Sequence, residues 1–188
     1  MTLRVIAGSH KGRLLKTPDG QKTRPTTDRV KESVFSMLGP TFEQIACLDL
    51  FAGSGSLGIE ALSRGVERAA FVDSQSGDIL RTNVETLGLS NRSQVLRMPY
   101  AKAIAYLKDK KESFDLVFAD PPYQAGILED SLRRLLDADL LAKDATIVAE
   151  MHAQTATFLL PGFRVAKEVI YGIVKIVIYK TQSDRLGE

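Results

Sequence analysis

From residue 46 to residue 150, short apolar runs alternate with longer amphipathic stretches, and this alternation limits the possible folds more than any other feature. Runs of this length predict strands, and the stretches between them predict helices. The predicted strands are 46–51, 69–73, 94–98, 114–119 and 145–150, and the predicted helices are 56–64, 75–87, 101–110 and 128–136. Strands joined in this way lie parallel in one sheet, with the connecting helices packed on both of its faces. The sequence therefore predicts an α/β fold.

The C-terminal part of the chain has a different pattern. Two runs rich in β-branched residues, 164–171 and 174–180, flank Gly172 and predict an antiparallel hairpin. Placed at the edge of the five parallel strands, this hairpin gives a mostly parallel, seven-stranded sheet.

Length and composition exclude several classes of protein. A chain of 188 residues with 44% hydrophobic residues has the size and make-up of a single globular domain. It has no run of about 18 apolar residues, so we expect no membrane span. A single cysteine, Cys47, permits no internal disulfide, and two histidines make a His/Cys metal cluster unexpected. We therefore expect a cytoplasmic protein without a metal.

The N-terminal 31 residues are strongly basic, with eight Lys or Arg against two acidic residues. Clustered cations with few opposing charges suit the phosphates of a nucleic acid. We therefore divide the chain into a short basic arm, 1–26, and one main domain, 27–188, whose first helix begins near Asp28. The alternative is a solvated appendage without a partner.

A glycine-rich loop follows the first predicted strand. Residues 53–58 read Gly-Ser-Gly-Ser-Leu-Gly, a G-x-G-x-x-G motif between a strand and a helix, where nucleotide-binding turns occur. Asp73 closes the second strand, at the position expected of a carboxylate that binds a ribose. Asp49 precedes the loop, and its charge would repel a pyrophosphate but attract an ammonium group. The motif therefore favours S-adenosylmethionine over a dinucleotide; a tight turn without a ligand is the alternative.

A second motif, Asp120-Pro121-Pro122-Tyr123, follows the fourth predicted strand. The two prolines stiffen the turn and remove backbone donors, which leaves carbonyl oxygens and the Asp120 side chain as acceptors. Tyr123 offers a flat face on which a base can stack. Acceptors beside a stacking ring suit an exocyclic amino group, so the motif predicts methyl transfer to a base. A rigid loop with a core-packed tyrosine is the alternative.

These motifs resemble those of a known enzyme family. Asp-Pro-Pro-Tyr is the motif of amino-group methyltransferases with the Rossmann-like, class I S-adenosylmethionine fold, which act on guanine N2, adenine N6 or cytosine N4. The chain further resembles the bacterial RsmD family, which methylates guanine N2 in small-subunit (16S) ribosomal RNA, over nearly its whole length. The segments that carry this resemblance are Arg-Val-Ile-Ala-Gly at 4–8, Lys-Gly-Arg at 11–13, Arg-Pro-Thr-Thr-Asp-Arg-Val-Lys-Glu at 24–32 and Leu-Asp-Leu-Phe-Ala-Gly-Ser-Gly at 48–55.

The resemblance implies a role for each candidate residue. The cofactor S-adenosylmethionine, whose product is S-adenosylhomocysteine, is expected to be bound by Asp49, Phe51, Gly53, Gly55, Asp73 and Met98. The target amine is expected to be held by the catalytic residues Asp120, Pro121, Pro122 and Tyr123. The arm is expected to bind RNA through Lys11, Arg13, Arg24 and Arg29. The expected partner is ribosomal RNA or the small ribosomal subunit, and we expect a monomer.

Three other functions remain open at this point. A DNA adenine or cytosine amino-methyltransferase would use the same tetrapeptide, but such enzymes usually carry a further target-recognition region for which this chain has little room. A methyltransferase acting on a glutamine amide would not need a basic arm. A non-catalytic nucleotide-binding module would leave the tetrapeptide without a use.

Overall fold

The computed structural model describes residues 3–17, 28–124 and 126–182. The strands are β1 (Leu3–Arg4), β2 (Leu14–Leu15), β3 (Ala46–Asp49), β4 (Arg68–Val72), β5 (Ser93–Leu96), β6 (Phe114–Ala119), β7 (Leu141–His152), β8 (Phe163–Tyr171) and β9 (Val174–Thr181). The helices are α1 (Asp28–Leu38), α2 (Ser56–Ser63), α3 (Gly77–Thr86), α4 (Tyr100–Asp109) and α5 (Ile127–Asp137), with short 3-10 turns at Gly8–His10 and Ser90–Arg92.

Seven of these strands form one sheet in the order β5-β4-β3-β6-β7-β9-β8. Strands β3 to β7 run parallel to one another, whereas β9 is antiparallel to both β7 and β8. The predicted mostly parallel sheet with an antiparallel C-terminal hairpin is therefore confirmed. The strand order reverses between β3 and β6, and in open α/β sheets the carboxyl ends of the strands beside such a reversal form the binding crevice.

Two apolar clusters cover the two faces of the sheet, as the alternation of strands and helices predicts. One cluster contains the buried side chains of α1, α2 and α3, including Phe35 and Ile59, and the other contains those of α4 and α5, including Leu107 and Leu132. Each cluster also takes alternate side chains from the central strands, so both faces of these strands are buried.

Some element boundaries differ from the sequence-based prediction. The strand predicted over 46–51 ends at Asp49 in the structure, because the chain then bends into the glycine-rich loop, although the Leu50 N–H still donates to the Phe118 carbonyl at 2.9 Å. The strand predicted over 145–150 extends from Leu141 to His152. Pairing with β9 accounts for the added residues at the carboxyl end, where His152 pairs with Val174.

The N-terminal segment forms a small hairpin, β1 with β2, that packs against α2 and α3. Ser63 and Asn83 hold its backbone: the Ser63 hydroxyl donates to the Ala7 carbonyl at 2.6 Å, and the Asn83 amide both donates to and accepts from the backbone of Lys16. Gly8 has φ +80, and a Cβ there would lie 1.9 Å from the Ser63 carbonyl oxygen. The close approach of this segment to α2 therefore requires glycine at position 8.

Glu60 on α2 binds the backbone of the same N-terminal hairpin. Its side chain is fully buried and accepts hydrogen bonds from the Ile6 and Ala7 N–H groups at 2.7 and 3.0 Å. The carboxylate also pairs with Arg64 at 2.9 Å and with the fully buried Lys31 of α1 at 3.5 Å. Burial lowers the pKa of Lys31, and the charge of Glu60 is the main effect opposing that shift. A buried ionic network thus joins the hairpin, α1 and α2.

Candidate active site

A cavity of about 690 Å³ opens at the carboxyl ends of the central strands, within the range of small-molecule sites. The candidate residues that line it are Asp49, Phe51, Gly53, Asp73, Met98, Asp120, Pro121, Pro122 and Tyr123. Glu150 of β7 and Leu3 and Thr17 of the N-terminal segment line it as well. The fold therefore brings the two sequence motifs to one cavity, although 61 residues lie between Gly58 and Asp120 in the chain.

The register of the parallel strands explains this convergence. Across the sheet, the residues in register are Phe71 on β4, Asp49 on β3, Phe118 on β6 and Val148 on β7. Two residues after each of these positions, near the carboxyl ends of the four strands, are Asp73, Phe51, Asp120 and Glu150. Because parallel strands end at the same edge of a sheet, the four residues come together at the mouth of the crevice.

The glycine-rich loop uses glycine at two positions for different reasons. Gly55 is the N-cap of α2 with φ 85, and a Cβ there would lie 2.4 Å from Leu80 Cδ1. Gly55 therefore lets the loop pack closely on α3. Gly53 has φ +54, but no atom lies within 4 Å of the place where its Cβ would be. The space beside Gly53 is open on the cavity side, where a ligand can approach the backbone.

Asp49 is buried beneath this loop, with 3% of its surface exposed. Its Oδ2 accepts a hydrogen bond from the Gly58 N–H at 3.0 Å. Burial raises the pKa of Asp49 to about 7 and the nearby charge of Asp73 adds to the shift, whereas the Gly58 hydrogen bond opposes it. Because burial destabilises the charged form of this carboxylate, a cation bound beside it in the cavity would stabilise that form.

Asp73 ties the loop after β3 to the loop after β4. Its Oδ2 accepts from the Gly53 N–H at 3.0 Å, and its Oδ1 accepts from the N–H groups of Gln75 and Ser76 at 2.8 and 2.5 Å. A carboxylate has about four lone-pair sites, so these three bonds do not exhaust its capacity as an acceptor. Asp73 therefore shapes the cavity wall in addition to any contact with a ligand.

The Asp120–Tyr123 turn forms the opposite wall. Pro121 is buried, whereas Tyr123 is 42% exposed and does not pack into the core. The Tyr123 hydroxyl donates to Glu150 Oε1 at 3.1 Å. The rings of Tyr123 and His152 are nearly perpendicular, with a centroid distance of 5.9 Å. These contacts hold the tyrosine ring at the cavity while part of its surface stays open.

A third part of the cavity is lined by Phe51, Met98 and Tyr100. The rings of Phe51 and Tyr100 lie 5.4 Å apart, and the Tyr100 hydroxyl donates to Asp130 of α5 at 2.7 Å. Met98 is half-buried, and like Phe51 and Tyr100 it packs against the apolar cluster that contains the buried side chains of α4 and α5. This region combines flat apolar surfaces with the N-terminal end of α4, of which Tyr100 is the first residue.

Three of the predicted RNA-binding cations are among the described residues, and none of the three lines the cavity. Lys11 and Arg13 are exposed on the N-terminal hairpin, with an Arg13 Nη2 lying 3.5 Å from the Thr86 carbonyl, and Arg29 is exposed on α1. Arg24 lies outside the described residues, as do the neighbouring residues 25–27 of the RsmD-like segment. All three described cations are on the outer surface, and Lys11 and Arg13 lie beside the carboxyl ends of α2 and α3.

Glu150 and Tyr100 are among the lining residues that the sequence did not indicate. Glu150 is the last residue of a predicted strand, which is the same signal that singled out Asp73. Tyr100 gave no such signal, because it begins a helix and an aromatic residue there is unremarkable. Within the described ranges, no group of three or more His, Cys, Asp or Glu side chains is placed to hold a metal ion. Over the same ranges, no helix has both the length and the hydropathy that crossing a membrane requires.

Comparison with known proteins extends over almost the whole chain. A family model described as Conserved hypothetical protein 95 matches residues 3–180. YlbH of Bacillus subtilis (strain 168) is 42% identical over 184 residues, which cover 96% of this chain and all of that protein. Ribosomal RNA small subunit methyltransferase D of Escherichia coli (strain K12) is 35% identical over 184 residues, 96% of this chain and 91% of that protein.

Solved structures agree with this relationship. The Escherichia coli protein YhhF is 33% identical, covers 97% of this chain and 99% of its own, and superposes with a TM-score of 0.85. A more distant structure, SMU.776 solved with S-adenosylhomocysteine, shares the fold at 16% identity and a TM-score of 0.60, over 73% of this chain and 45% of that chain. By sequence and by structure, the chain belongs to the RsmD family of ribosomal RNA methyltransferases.

Proposed function

We propose that this protein transfers a methyl group from S-adenosylmethionine to the exocyclic N2 amine of a guanine in 16S ribosomal RNA. The observation that carries the proposal is the meeting of the Asp49 loop and the Asp120–Tyr123 turn in one cavity. A buried carboxylate on one side suits the ammonium group of the methyl donor, and an acceptor beside an exposed aromatic ring on the other suits a base with an amino group.

The cofactor half of the cavity fits an aminoacyl nucleoside. Asp49 binds the ammonium group, the open backbone at Gly53 lies along the methionine portion, and Gly55 sets the turn. Asp73 binds the ribose, and Phe51 and Met98 contact the adenine. When bound, S-adenosylmethionine supplies an electrophilic methyl group.

The Asp120–Tyr123 turn acts on the base. Tyr123 stacks on the guanine, while Asp120 and the Pro121 and Pro122 carbonyl region accept hydrogen bonds from the N2 amine. These bonds turn the nitrogen lone pair towards the methyl group. Positioning of this kind can supply roughly 7–11 kcal/mol of a bimolecular barrier. Asp120 need not be a strong base, because the amine becomes acidic only as the new N–C bond forms.

The pH dependence of cofactor binding follows from the raised pKa of Asp49, about 7. Below that pH the carboxyl group is neutral and cannot pair with an ammonium group. The affinity for S-adenosylhomocysteine should therefore fall by about tenfold per pH unit below pH 7 and level off above it. Calorimetry between pH 5.5 and 7.5 measures this directly. An Asp49→Asn variant should bind weakly with no such slope, and an equal slope in both proteins would refute the ammonium contact.

The basic arm, 1–26, together with Arg29 at the start of the main domain, 27–188, binds the RNA backbone in this proposal, through Lys11, Arg13, Arg24 and Arg29. Changing Lys11, Arg13 and Arg29 to glutamine should flatten the dependence of log Kd on log salt by roughly 2 to 3 units, because each lost phosphate contact removes about 0.7–0.9. Binding to 16S RNA at several salt concentrations gives the slope.

A matched control removes three other exposed cations, Lys108, Lys110 and Lys111, near the carboxyl end of α4. They lie on the face of the sheet that α4 and α5 cover, opposite the face on which α1, α2 and the N-terminal hairpin pack. Their loss changes the net charge equally and should leave the slope nearly unchanged. Equal slopes for the two triple variants would mean that the hairpin and α1 cations make no specific contact.

The test of the function itself uses purified protein with methyl-labelled S-adenosylmethionine. Naked 16S RNA and assembled small subunits are offered separately, and the labelled nucleosides are identified after digestion. N2-methylguanosine is the expected product with at least one of these substrates. Labelled N6-methyladenosine or N4-methylcytidine would instead indicate the other amino-methyltransferase chemistries.

A further inference from the structure

Glu150 is a buried carboxylate that lines the active-site cavity, and the reaction proposed above gives it no role. It lies near the carboxyl end of β7, is 7% exposed and lines the cavity with the Asp120–Tyr123 turn. Burying a carboxylate is costly unless the group is hydrogen-bonded, and a strand with an apolar residue at this position would avoid the cost. The position of Glu150 therefore calls for a functional explanation.

The strand register places Glu150 directly beside Asp120. Ala149 of β7 is in register with Ala119 of β6, and the residues that follow them are Glu150 and Asp120. Neighbouring strands lie about 4.8 Å apart. The cavity therefore presents two carboxylates side by side, one on the turn that is proposed to hold the target amine and the other one strand away.

The contact between Tyr123 and Glu150 shows where the second carboxylate lies with respect to the base. Tyr123 Oη donates to Glu150 Oε1 at 3.1 Å, so the carboxylate lies at the rim of the ring on which the base is proposed to stack. A carboxylate has about four lone-pair sites, so Glu150 can accept a hydrogen bond from a ligand in addition to the one from Tyr123. A base stacked on Tyr123 would thus have Glu150 near its edge.

The hydrogen-bonding edges of the four bases differ in a way that two adjacent acceptors can read. Guanine presents an amino group and a ring N–H next to each other. Adenine and cytosine have an amino group, but the neighbouring ring nitrogen is an acceptor. Uracil has a ring N–H but no amino group. Of the four bases, guanine alone offers donors to both carboxylates.

We propose that Glu150 accepts a hydrogen bond from N1–H of the target guanine and is thereby the residue that selects guanine. This inference rests on the proposed function, in which Asp120 accepts from the N2 amine of the same base. Adenine or cytosine in the same position would place a ring lone pair against the carboxylate, which leaves two buried acceptors facing each other. Selection by unpaired buried polar groups is strong compared with selection by shape.

The test uses 2-aminopurine, which keeps the N2 amine of guanine but has an acceptor at N1. The target guanine is first mapped in 16S RNA with the wild-type protein, and RNAs are then ligated with either guanine or 2-aminopurine at that position. Single-turnover methyl transfer is measured for wild type and for Glu150→Gln. Wild type should prefer guanine by roughly 10²-fold or more. Glu150→Gln can donate its amide to N1 of 2-aminopurine, so the preference should shrink by at least tenfold.

Comparing the two proteins cancels the intrinsic difference in reactivity between the two bases. It also separates base reading from a purely structural role, because glutamine still offers an oxygen to the Tyr123 hydroxyl. Tyr123→Phe is the matched control, since it removes the hydrogen bond between Tyr123 and Glu150 but keeps both the ring and the Glu150 carboxylate. Its overall rate is free to fall, but its preference for guanine over 2-aminopurine should stay close to that of wild type.

Each outcome decides a separate question. A folded Glu150→Gln protein that binds S-adenosylhomocysteine and keeps the wild-type preference overturns the role of Glu150 but leaves the proposed function standing. A wild-type protein that forms no N2-methylguanosine overturns both. If the variant does not fold, the wild-type data alone still test the inference, because equal rates on guanine and 2-aminopurine would contradict it.

Discussion

Replacing Asp120 by alanine should lower the single-turnover rate of methyl transfer at least 10²–10³-fold, the loss typical of one preorganised polar contact. Asp120 lies in the cavity at the end of β6, next to the ring that is proposed to stack on the base. Without its oxygens the amine loses the acceptor that orients its lone pair. The affinity for S-adenosylhomocysteine should change little, and calorimetry checks that the variant is folded and loaded.

Asp120→Asn distinguishes orientation from proton removal. Asparagine keeps a carbonyl oxygen in nearly the same place but cannot take up a proton at neutral pH. If orientation dominates, the asparagine variant should retain much more activity than the alanine variant. An equal collapse of both variants with intact RNA and cofactor binding would favour general-base catalysis, and near-wild-type activity in Asp120→Ala would remove this turn from the reaction.

Replacing Glu60 by alanine should lower the free energy of unfolding by about 3–5 kcal/mol, the usual cost of removing one partner from a buried ion pair. The carboxylate is fully buried, and its loss leaves the buried Lys31 cation without its ion pair and the Ile6 and Ala7 N–H groups without their acceptor. The N-terminal hairpin should detach first, because its backbone depends on this side chain. Urea unfolding gives the free energy, and limited proteolysis reports release of the hairpin.

Glu129→Ala is the matched control for this change. Glu129 pairs with Arg133 on α5 at 2.8 Å, and both side chains are about half exposed. An exposed pair of this spacing contributes about 0.3–0.5 kcal/mol, so the control should be nearly as stable as wild type. Similar small losses in both variants would show that the hairpin is held by its other contacts, such as those with Ser63 and Asn83.

The sequence predicted the sheet well because the signal for each parallel strand is local. An apolar run such as 114–119 is buried on both faces, and the amphipathic stretch after it forms a helix whatever the rest of the chain does. The two motifs could be placed in one cavity for the same reason: each follows a parallel strand, and such strands end at a common edge. The strand limits were less accurate near Phe51, where apolar side chains continue past the last ladder position.

Contacts between distant parts of the chain could not be predicted in this way. In the sequence, Glu60 has the pattern of a polar residue on an amphipathic helix. Nothing near it indicates that the N–H groups of residues 6 and 7 are its hydrogen-bond donors. Glu150 similarly acquires its meaning from Tyr123, 27 residues earlier. Both depend on tertiary packing, which a single sequence encodes only indirectly.

Methylation of guanine N2 in 16S ribosomal RNA can be tested directly in cells. The measurement is nucleotide-resolution mapping of methylated guanines in 16S RNA from cells that lack the protein, with wild-type and Asp120→Ala proteins supplied back. We expect N2-methylguanosine to disappear from a defined position, to return with the wild-type protein and not to return with Asp120→Ala. An unchanged guanine methylation pattern, or a methyl group lost instead from adenine, cytosine or a protein, would contradict it.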